Sequence, residues 1–92
     1  DMQENESKVV FKIQLGTYLE SMKNSSVFTE MNVEEMVTNG TYKYLLVVGN
    51  DKKEADKLKL KHRSGKFPGA FIVAFHDEKQ ISVKEALDLQ NK

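Results

Sequence analysis

Large apolar residues occupy every second position near the start of the chain. The two sets of alternating positions are Val9, Phe11, Ile13 and Leu15 against Val10, Lys12 and Gln14. A period of two with β-branched and aromatic residues is typical of a strand with one buried face. The pattern predicts a strand from Val9 to Leu15 that ends at Gly16, with Thr17 and Tyr18 in the exit loop.

The Asn39-Gly40 pair lies between two apolar segments and predicts a β-hairpin. Both central residues of a type I′ turn need positive φ, which Asn and Gly tolerate best. The paired strands are predicted at Val33–Thr38 and Thr41–Val48. On the second strand, Tyr42, Tyr44, Leu46 and Val48 share one face, and Lys43, Leu45 and Val47 share the other. The two tyrosines are interpreted as core residues, because the opposite register would expose Leu46.

Two helices are predicted between the strands. Asn24, Ser25 and Ser26 are N-cap residue types and favour a short helix that carries Phe28. Asp51 and Glu54 form an Asp variant of the capping box, which predicts a second, amphipathic helix. Gly65 is predicted to end that helix as a left-handed residue.

The last third of the chain predicts a strand, a tight turn and a helix. Phe67–Phe75 has strand length and carries the only proline, Pro68, at its start. A turn at Asp77-Glu78 lets Lys79–Ile81 fold back as a short fifth strand. Ser82 and Glu85 have the spacing of a capping box, which predicts a final helix.

This order of elements predicts the α+β class and, within it, a ferredoxin-like βαββαβ fold. The expected architecture is a four-stranded antiparallel sheet with two helices on one face, plus a C-terminal β-hairpin and helix. Right-handed crossovers place both main helices on the same face of the sheet. The other face is then open to a ligand unless another element covers it.

Composition narrows the class of protein. A chain of 92 residues with 39% hydrophobic residues fits one small core, and we assign 9–92 to a single domain and the polar residues 1–8 to a linker. Fourteen basic residues balance fourteen acidic ones, so no overall basic field attracts nucleic acid or anionic lipid. No apolar run approaches the roughly 20 residues of a membrane-spanning helix. The absence of cysteine excludes disulfides and thiolate chemistry.

The sequence contains no motif that favours catalysis, a metal or a cofactor. The two histidines, His62 and His76, have no partner at metal-ligand spacing. Glu34 and Glu35 are neighbours on a predicted strand and therefore face opposite ways, which disfavours a glycosidase pair. The chain is predicted not to be an enzyme.

Two surfaces remain as candidates for binding. One is the open face of the two central strands, whose predicted positions are Val10, Lys12, Gln14, Lys43, Leu45 and Val47. None of these residues is aromatic, so this face is a poor platform for stacking nucleic-acid bases. The lysine-rich segment from Lys52 to Lys66 is interpreted as a solvated helix face, and the alternative is contact with anionic polymers or with a partner's acidic residues.

Several segments, taken in order, resemble the SPOR (sporulation-related) domain family. The first strand with its glycine and aromatic residue, Phe11 to Tyr18, is similar to the family's opening signature. Three later segments also resemble SPOR-like domains in Bacteroidetes. They are the third strand with its closing Gly49, the second helix, and the run from Ala70 through Ile81 to Leu87. The resemblance spans roughly Lys8 to Leu89.

The resemblance implies a non-catalytic module that binds peptidoglycan glycan strands through the open sheet face, in the periplasm or cell envelope and at division sites. It implies that the Gln14 amide contacts sugar hydroxyl or acetamido groups and that Tyr18 supplies an aromatic edge. Lys12 or Lys43 is then suited to a muramic acid carboxylate. The candidate ligand-binding residues are Lys12, Gln14, Tyr18, Lys43, Leu45 and Val47. The simpler alternative is that the polar members only keep an exposed strand soluble.

A second function class stays open. Val10, Leu45 and Val47 are apolar enough to favour a cover over the open face. Three elements are candidates to cover it: the C-terminal helix, a second copy of the chain in a homodimer, or an envelope protein partner. The chain is then a protein-interaction or dimerisation module.

Overall fold

The structure is a computed structural model that describes residues 9–22, 25–29 and 31–91, so the predicted linker 1–8 and the predicted cap Asn24 lie outside the described residues. Five strands and three helices follow in the order β1 (Val9–Tyr18), α1 (Ser26–Thr29), β2 (Val33–Thr38), β3 (Thr41–Gly49), α2 (Lys52–Arg63), β4 (Phe71–His76), β5 (Lys79–Ile81) and α3 (Val83–Gln90). The α+β class is confirmed.

The strands form one antiparallel sheet in the order β2-β3-β1-β4-β5. β1 lies at the centre and pairs with β3 on one side and β4 on the other. The sheet has five strands rather than the predicted four, because β5 pairs with β4 and extends the same sheet. The predicted hairpin at the C-terminal end is therefore part of the main sheet.

β1 does not end at Gly16, and the predicted exit loop at Thr17 and Tyr18 is wrong. The strand continues to Tyr18, and the β1–β3 register shifts between Gln14 and Gly16, as in a β-bulge. A Cβ atom on Gly16 would lie 2.8 Å from the Tyr18 hydroxyl oxygen, so only glycine leaves room for the ring. The bulge reverses the alternation of faces and turns Tyr18 towards the helices.

Both tight turns are confirmed. Asn39 and Gly40 have φ angles of 50° and 80°, the left-handed values that a type I′ hairpin requires. Asp77 and Glu78 have φ angles of 52° and 72°, although neither is glycine. The second hairpin therefore adopts its turn against the backbone preference of Glu78.

The helix α2 begins as predicted and ends differently. The Asp51 carboxylate accepts a hydrogen bond from the Lys53 amide N–H at 3.0 Å. At the other end, Gly65 is not among the residues with positive φ, so the predicted left-handed stop is wrong. The amide groups of Gly65 and Phe67 both donate to the His62 carbonyl, which ends the helix without a left-handed residue.

The main core lies between the sheet and the helices. Residues on one side of β1 are fully buried there, as the alternation predicts, and Tyr44 of β3 lies beside them. The helix α3 packs on the same side as α2, with Ala86 buried in the cluster that contains Phe11 and Ala55. α3 therefore does not cover the opposite face of the sheet.

Candidate functional site

The sheet face opposite the helices is the candidate site, and we call it the open face. The strand registers place alternate residues of β1, β2, β3 and β4 on it: Val10, Lys12, Gln14, Thr17, Glu34, Met36, Lys43, Leu45, Val47, Phe71, Val73 and Phe75. Since both long helices pack on the other side, none of the described helices lies over this surface. The exposure of the open face varies, since Phe71 is exposed at one end whereas Leu45, Val73 and Phe75 are buried.

The structure brings five of the six predicted site residues together and separates the sixth. Lys12, Gln14, Lys43, Leu45 and Val47 share the open face, as the alternation predicts. Tyr18 lies on the helix side, where its ring centroid is 6.1 Å from that of Phe28 and 5.8 Å from that of Tyr44. The bulge in β1 explains this placement, since strict alternation would have turned Tyr18 to the open face.

One end of the open face, which we call the amide end, carries Gln14 and Phe71 directly opposite each other on β1 and β4. The Phe71 side chain is 45% exposed, a large value for an aromatic residue within a sheet. The Gln14 amide nitrogen donates to the Thr17 hydroxyl at 3.1 Å, which holds the amide in one orientation. Lys43 lies on the same end, opposite Thr17.

The other end of the open face, which we call the groove end, carries Lys12, whose ammonium already has two partners on the protein. The Lys12 ammonium donates to Glu34 at 2.6 Å and lies 4.5 Å from the centroid of the Phe75 ring. The Lys12 side chain is only 17% exposed. Because Glu34 neutralises this cation at contact distance, Lys12 is poorly placed to pair with a carboxylate of a ligand.

An apolar groove lies at this end. One cavity of about 310 Å³ is lined by Lys12, Glu34, Glu35, Met36, Leu45, Phe75 and Glu78. A second of about 230 Å³ shares Lys12, Glu34, Phe75 and Glu78 and adds Val10 and Val47. Leu45 is only 1% exposed although no described helix covers it, because Val73, Phe75 and Met36 pack around it. The groove therefore has a preformed apolar floor.

The sequence interpretation missed Phe71, Val73, Phe75 and Glu78. The signal was obscured because β4 carries apolar residues on both faces, so a period of two does not separate Phe71, Val73 and Phe75 from their neighbours. Glu78 was assigned only to a turn. Its place on the groove depends on the β4–β5 hairpin, which brings the turn back over the sheet.

The histidines lie away from the open face. Burial, and then the neighbouring Lys61, lower the pKa of His62 from its ordinary value of 6.5, and its ring packs edge-on against Phe67 at 6.0 Å. Within residues 9–22, 25–29 and 31–91, no three His, Asp or Glu residues are grouped closely enough to hold a metal ion. Among the helices described, none is both long and apolar enough to cross a membrane.

Comparison with known proteins finds no relationship. No protein-family model matches the chain, and neither a curated protein nor a solved structure matches it. The resemblance to SPOR domains thus remains a prediction from the residues.

Proposed function

We propose that this chain is a non-catalytic glycan-binding module that holds a peptidoglycan strand on its open face, in the envelope of a bacterium. The observation that carries the proposal is the pair formed by Gln14 and Phe71. They lie directly opposite each other on neighbouring strands, on a sheet face that the long helices leave uncovered. An exposed aromatic ring beside an oriented amide suits an uncharged sugar that carries an acetamido group.

The chemistry of each residue supports that role. A pyranose ring presents aliphatic C–H groups on its faces, and these gain dispersion and hydrophobic contact on an aromatic ring such as Phe71. The Gln14 side chain offers an acceptor oxygen and a second amide hydrogen besides the one given to Thr17. Lys43, rather than Lys12, is the cation suited to a muramic acid carboxylate, since Lys12 is paired with Glu34.

The strand order is compatible with the ferredoxin-like fold that the resemblance implies. Without β5, the order β2-β3-β1-β4 is the order of a βαββαβ sheet. In that interpretation β5 and α3 extend the fold beyond its minimal form. Because α3 packs on the helix side, this extension leaves the proposed binding face clear.

Retention on purified peptidoglycan sacculi tests the proposal. We expect the wild-type domain to be retained, and retained more strongly after an amidase has removed the stem peptides. Gln14→Ala and Phe71→Ala should each lower the affinity about fivefold to tenfold, the effect of losing one hydrogen bond or one aromatic contact. Circular dichroism on both variants checks that they remain folded.

Two matched variants serve as controls. Asn91→Ala removes an exposed side-chain amide at the end of α3, which packs on the helix side, and Leu19→Ala removes a leucine that is 81% exposed beyond β1. Neither should change retention. Two results would reject the proposal. One is wild-type protein that binds sacculi neither before nor after amidase treatment, and the other is binding that neither Gln14→Ala nor Phe71→Ala weakens.

The apolar groove favours the second function class, a protein-interaction module. Val10, Met36, Leu45, Val47 and Phe75 supply its apolar lining, on which a sugar finds no hydrogen-bonding side chain. A domain that does not bind sacculi but changes mass with its own concentration is the result that this alternative predicts.

A further inference from the structure

We infer that the groove end of the open face binds the outer side of α2 from a second copy of this chain, in a head-to-tail contact. The inference does not depend on glycan binding, because it uses the opposite end of the face. It rests on the match between an apolar groove with an acidic rim and a basic helix with an exposed leucine.

The groove is acidic at its rim. Among the residues that line its two cavities, Glu34, Glu35 and Glu78 carry negative charge and Lys12 alone carries positive charge, but the Glu35 carboxylate is bonded to Tyr44 on the helix side of the sheet. Since Glu34 is bonded to Lys12, the net negative charge of the rim comes from Glu78, an exposed residue of the turn. An apolar floor with excess negative charge favours an occupant that has an apolar tip surrounded by cations.

The outer side of α2 has that chemistry. Leu60 is 60% exposed, and the exposed residues next to it on the helix surface include Lys53, Lys57 and Arg63. Glu54 and Asp56 are the only acidic residues of this helix, and Asp56 is paired with Lys52 at 2.9 Å. The fold of the single chain leaves most of Leu60 exposed, whereas the groove would bury it.

The two surfaces lie on opposite faces of the molecule. α2 covers the helix side of the sheet, and the groove is on the open face. A copy that uses its α2 in one contact therefore still has a free groove for the next. Repeated heterologous contacts form a closed ring when the rotation between copies returns to its start and an open-ended stack otherwise, so we expect growth beyond the dimer.

The contact is expected to be weak and sensitive to salt. One helix face in a short groove is smaller than a standard stable interface, which places it in the transient class. Since lysines and carboxylates supply the attraction and the rim charges are exposed, raising the ionic strength should weaken it. Apolar contact of Leu60 with Val10 and Val47, the half-buried apolar residues that line the groove, gives the part that salt does not remove.

Sedimentation velocity over a concentration series, at low and at high salt, tests the inference. We expect the average mass of the wild-type protein to rise steadily with concentration at low salt, without a plateau at the dimer. Leu60→Glu alters only the helix surface and Glu78→Lys alters only the groove. Each should raise the dissociation constant at least about tenfold.

A mixture of the two variants gives the sharpest result. The Glu78→Lys copy keeps an intact α2, and the Leu60→Glu copy keeps an intact groove. A one-to-one mixture should therefore form a heterodimer that neither variant forms alone, and growth should stop there because the remaining surfaces are altered. Leu19→Glu and Glu20→Lys are the matched controls at exposed positions outside both surfaces, and they should associate like the wild type.

Three outcomes would overturn the inference: a wild-type chain that stays monomeric up to about 1 mM, a mass that stops at the dimer, or a mixture that does not associate. The sacculi experiment is separate, because Leu60→Glu leaves Gln14 and Phe71 unchanged. A wild-type chain that does not self-associate but is retained on sacculi rejects only this inference, and the reverse result rejects only the proposed function.

Discussion

The Lys12 ammonium lies above the ring of Phe75, 4.5 Å from its centroid, on a sheet face that carries no helix among the described elements. The same ammonium is hydrogen-bonded to Glu34 at 2.6 Å. The long lysine stem thus covers an aromatic ring while its charge is satisfied at the rim, the arrangement by which a lysine shields apolar surface. This cover helps to keep Phe75 and Leu45 buried without a second layer.

We expect Lys12→Ala to lower the free energy of unfolding by about 1–2 kcal/mol, because it removes a cation–π contact, an ion pair and the apolar cover of Phe75. Lys12→Met keeps most of the cover and should cost less than about 1 kcal/mol. Urea denaturation of both variants measures the difference. Equal losses in the two variants would mean that the charge, and not the stem, carries the contribution.

The Tyr44 hydroxyl links three segments of the chain. It donates to the Glu35 carboxylate at 2.6 Å and accepts a hydrogen bond from the Met22 amide N–H, so the segment after β1 is tied to β2 and β3. We expect Tyr44→Phe to destabilise the protein by about 1–3 kcal/mol, since it removes both hydrogen bonds and takes this acceptor from the Met22 amide N–H. Thermal unfolding measures this effect.

Tyr42→Phe is the matched control for Tyr44→Phe. Tyr42 lies on the same face of β3, and its ring packs at the margin of the same core cluster. Its hydroxyl makes no hydrogen bond to a side chain within the described part of the chain, so its loss should change stability by less than about 0.5 kcal/mol. A loss as large as that of Tyr44→Phe would assign the effect to the general packing of tyrosine rings.

The turn at Asp77-Glu78 stores backbone strain that a glycine would release. Glu78 has a φ of 72°, a conformation that costs an ordinary L-residue about 1–2 kcal/mol. Glycine also has more freedom in the unfolded chain, which removes about 0.4–1 kcal/mol of the gain. We therefore expect Glu78→Gly to raise the free energy of unfolding by about 0.5–1 kcal/mol in urea denaturation.

Gly40→Ala provides the opposite test in the other hairpin. Gly40 has a φ of 80°, and a Cβ atom added there would have no heavy atom within 4 Å, so backbone strain alone decides the outcome. We expect a loss of about 1 kcal/mol. A Glu78→Gly variant that is less stable than the wild type, beside a Gly40→Ala variant that is unaffected, would contradict this account of both turns.

The lowered pKa of His62 makes stability depend on pH. Its folded-state pKa lies below the ordinary value of 6.5, so the unfolded chain takes up the proton first. The stabilisation from the neutral ring is present above pH 6.5 and is lost as the pH falls through the folded-state pKa. Between about pH 7.5 and pH 5.5, the Tm of the wild type should fall more than that of His62→Gln.

The sequence predicts local structure well where adjacent residues decide it. The bounds of β2 and the conformation of Asn39-Gly40 are confirmed, because turn chemistry is a property of the residues themselves. The face assignment of β3 is also confirmed, since Tyr44 is buried on the helix side and Leu45 on the open face.

Features that depend on distant contacts were not predictable in this way. The bulge before Gly16 depends on the packing of Tyr18 against Phe28 and Tyr44, which no local pattern encodes. The side chosen by α3 depends on Ala55 and Ala74 leaving space for Ala86. The aromatic part of the candidate site was missed for the same reason, because only the pairing of β4 with β1 places Phe71 beside Gln14.

The bulge between Gln14 and Gly16 has a consequence for how this domain tolerates changes in length. Leu15 and Gly16 both lie on the helix side, so deleting one of them would remove the extra residue and leave Thr17 on the open face and Tyr18 in the helix-side core. A deletion in the regular part of β1, at Ile13 for example, would instead exchange the two faces from that point onward. The bulge is therefore the place in this strand where the loss of one residue preserves the assignment of side chains to faces.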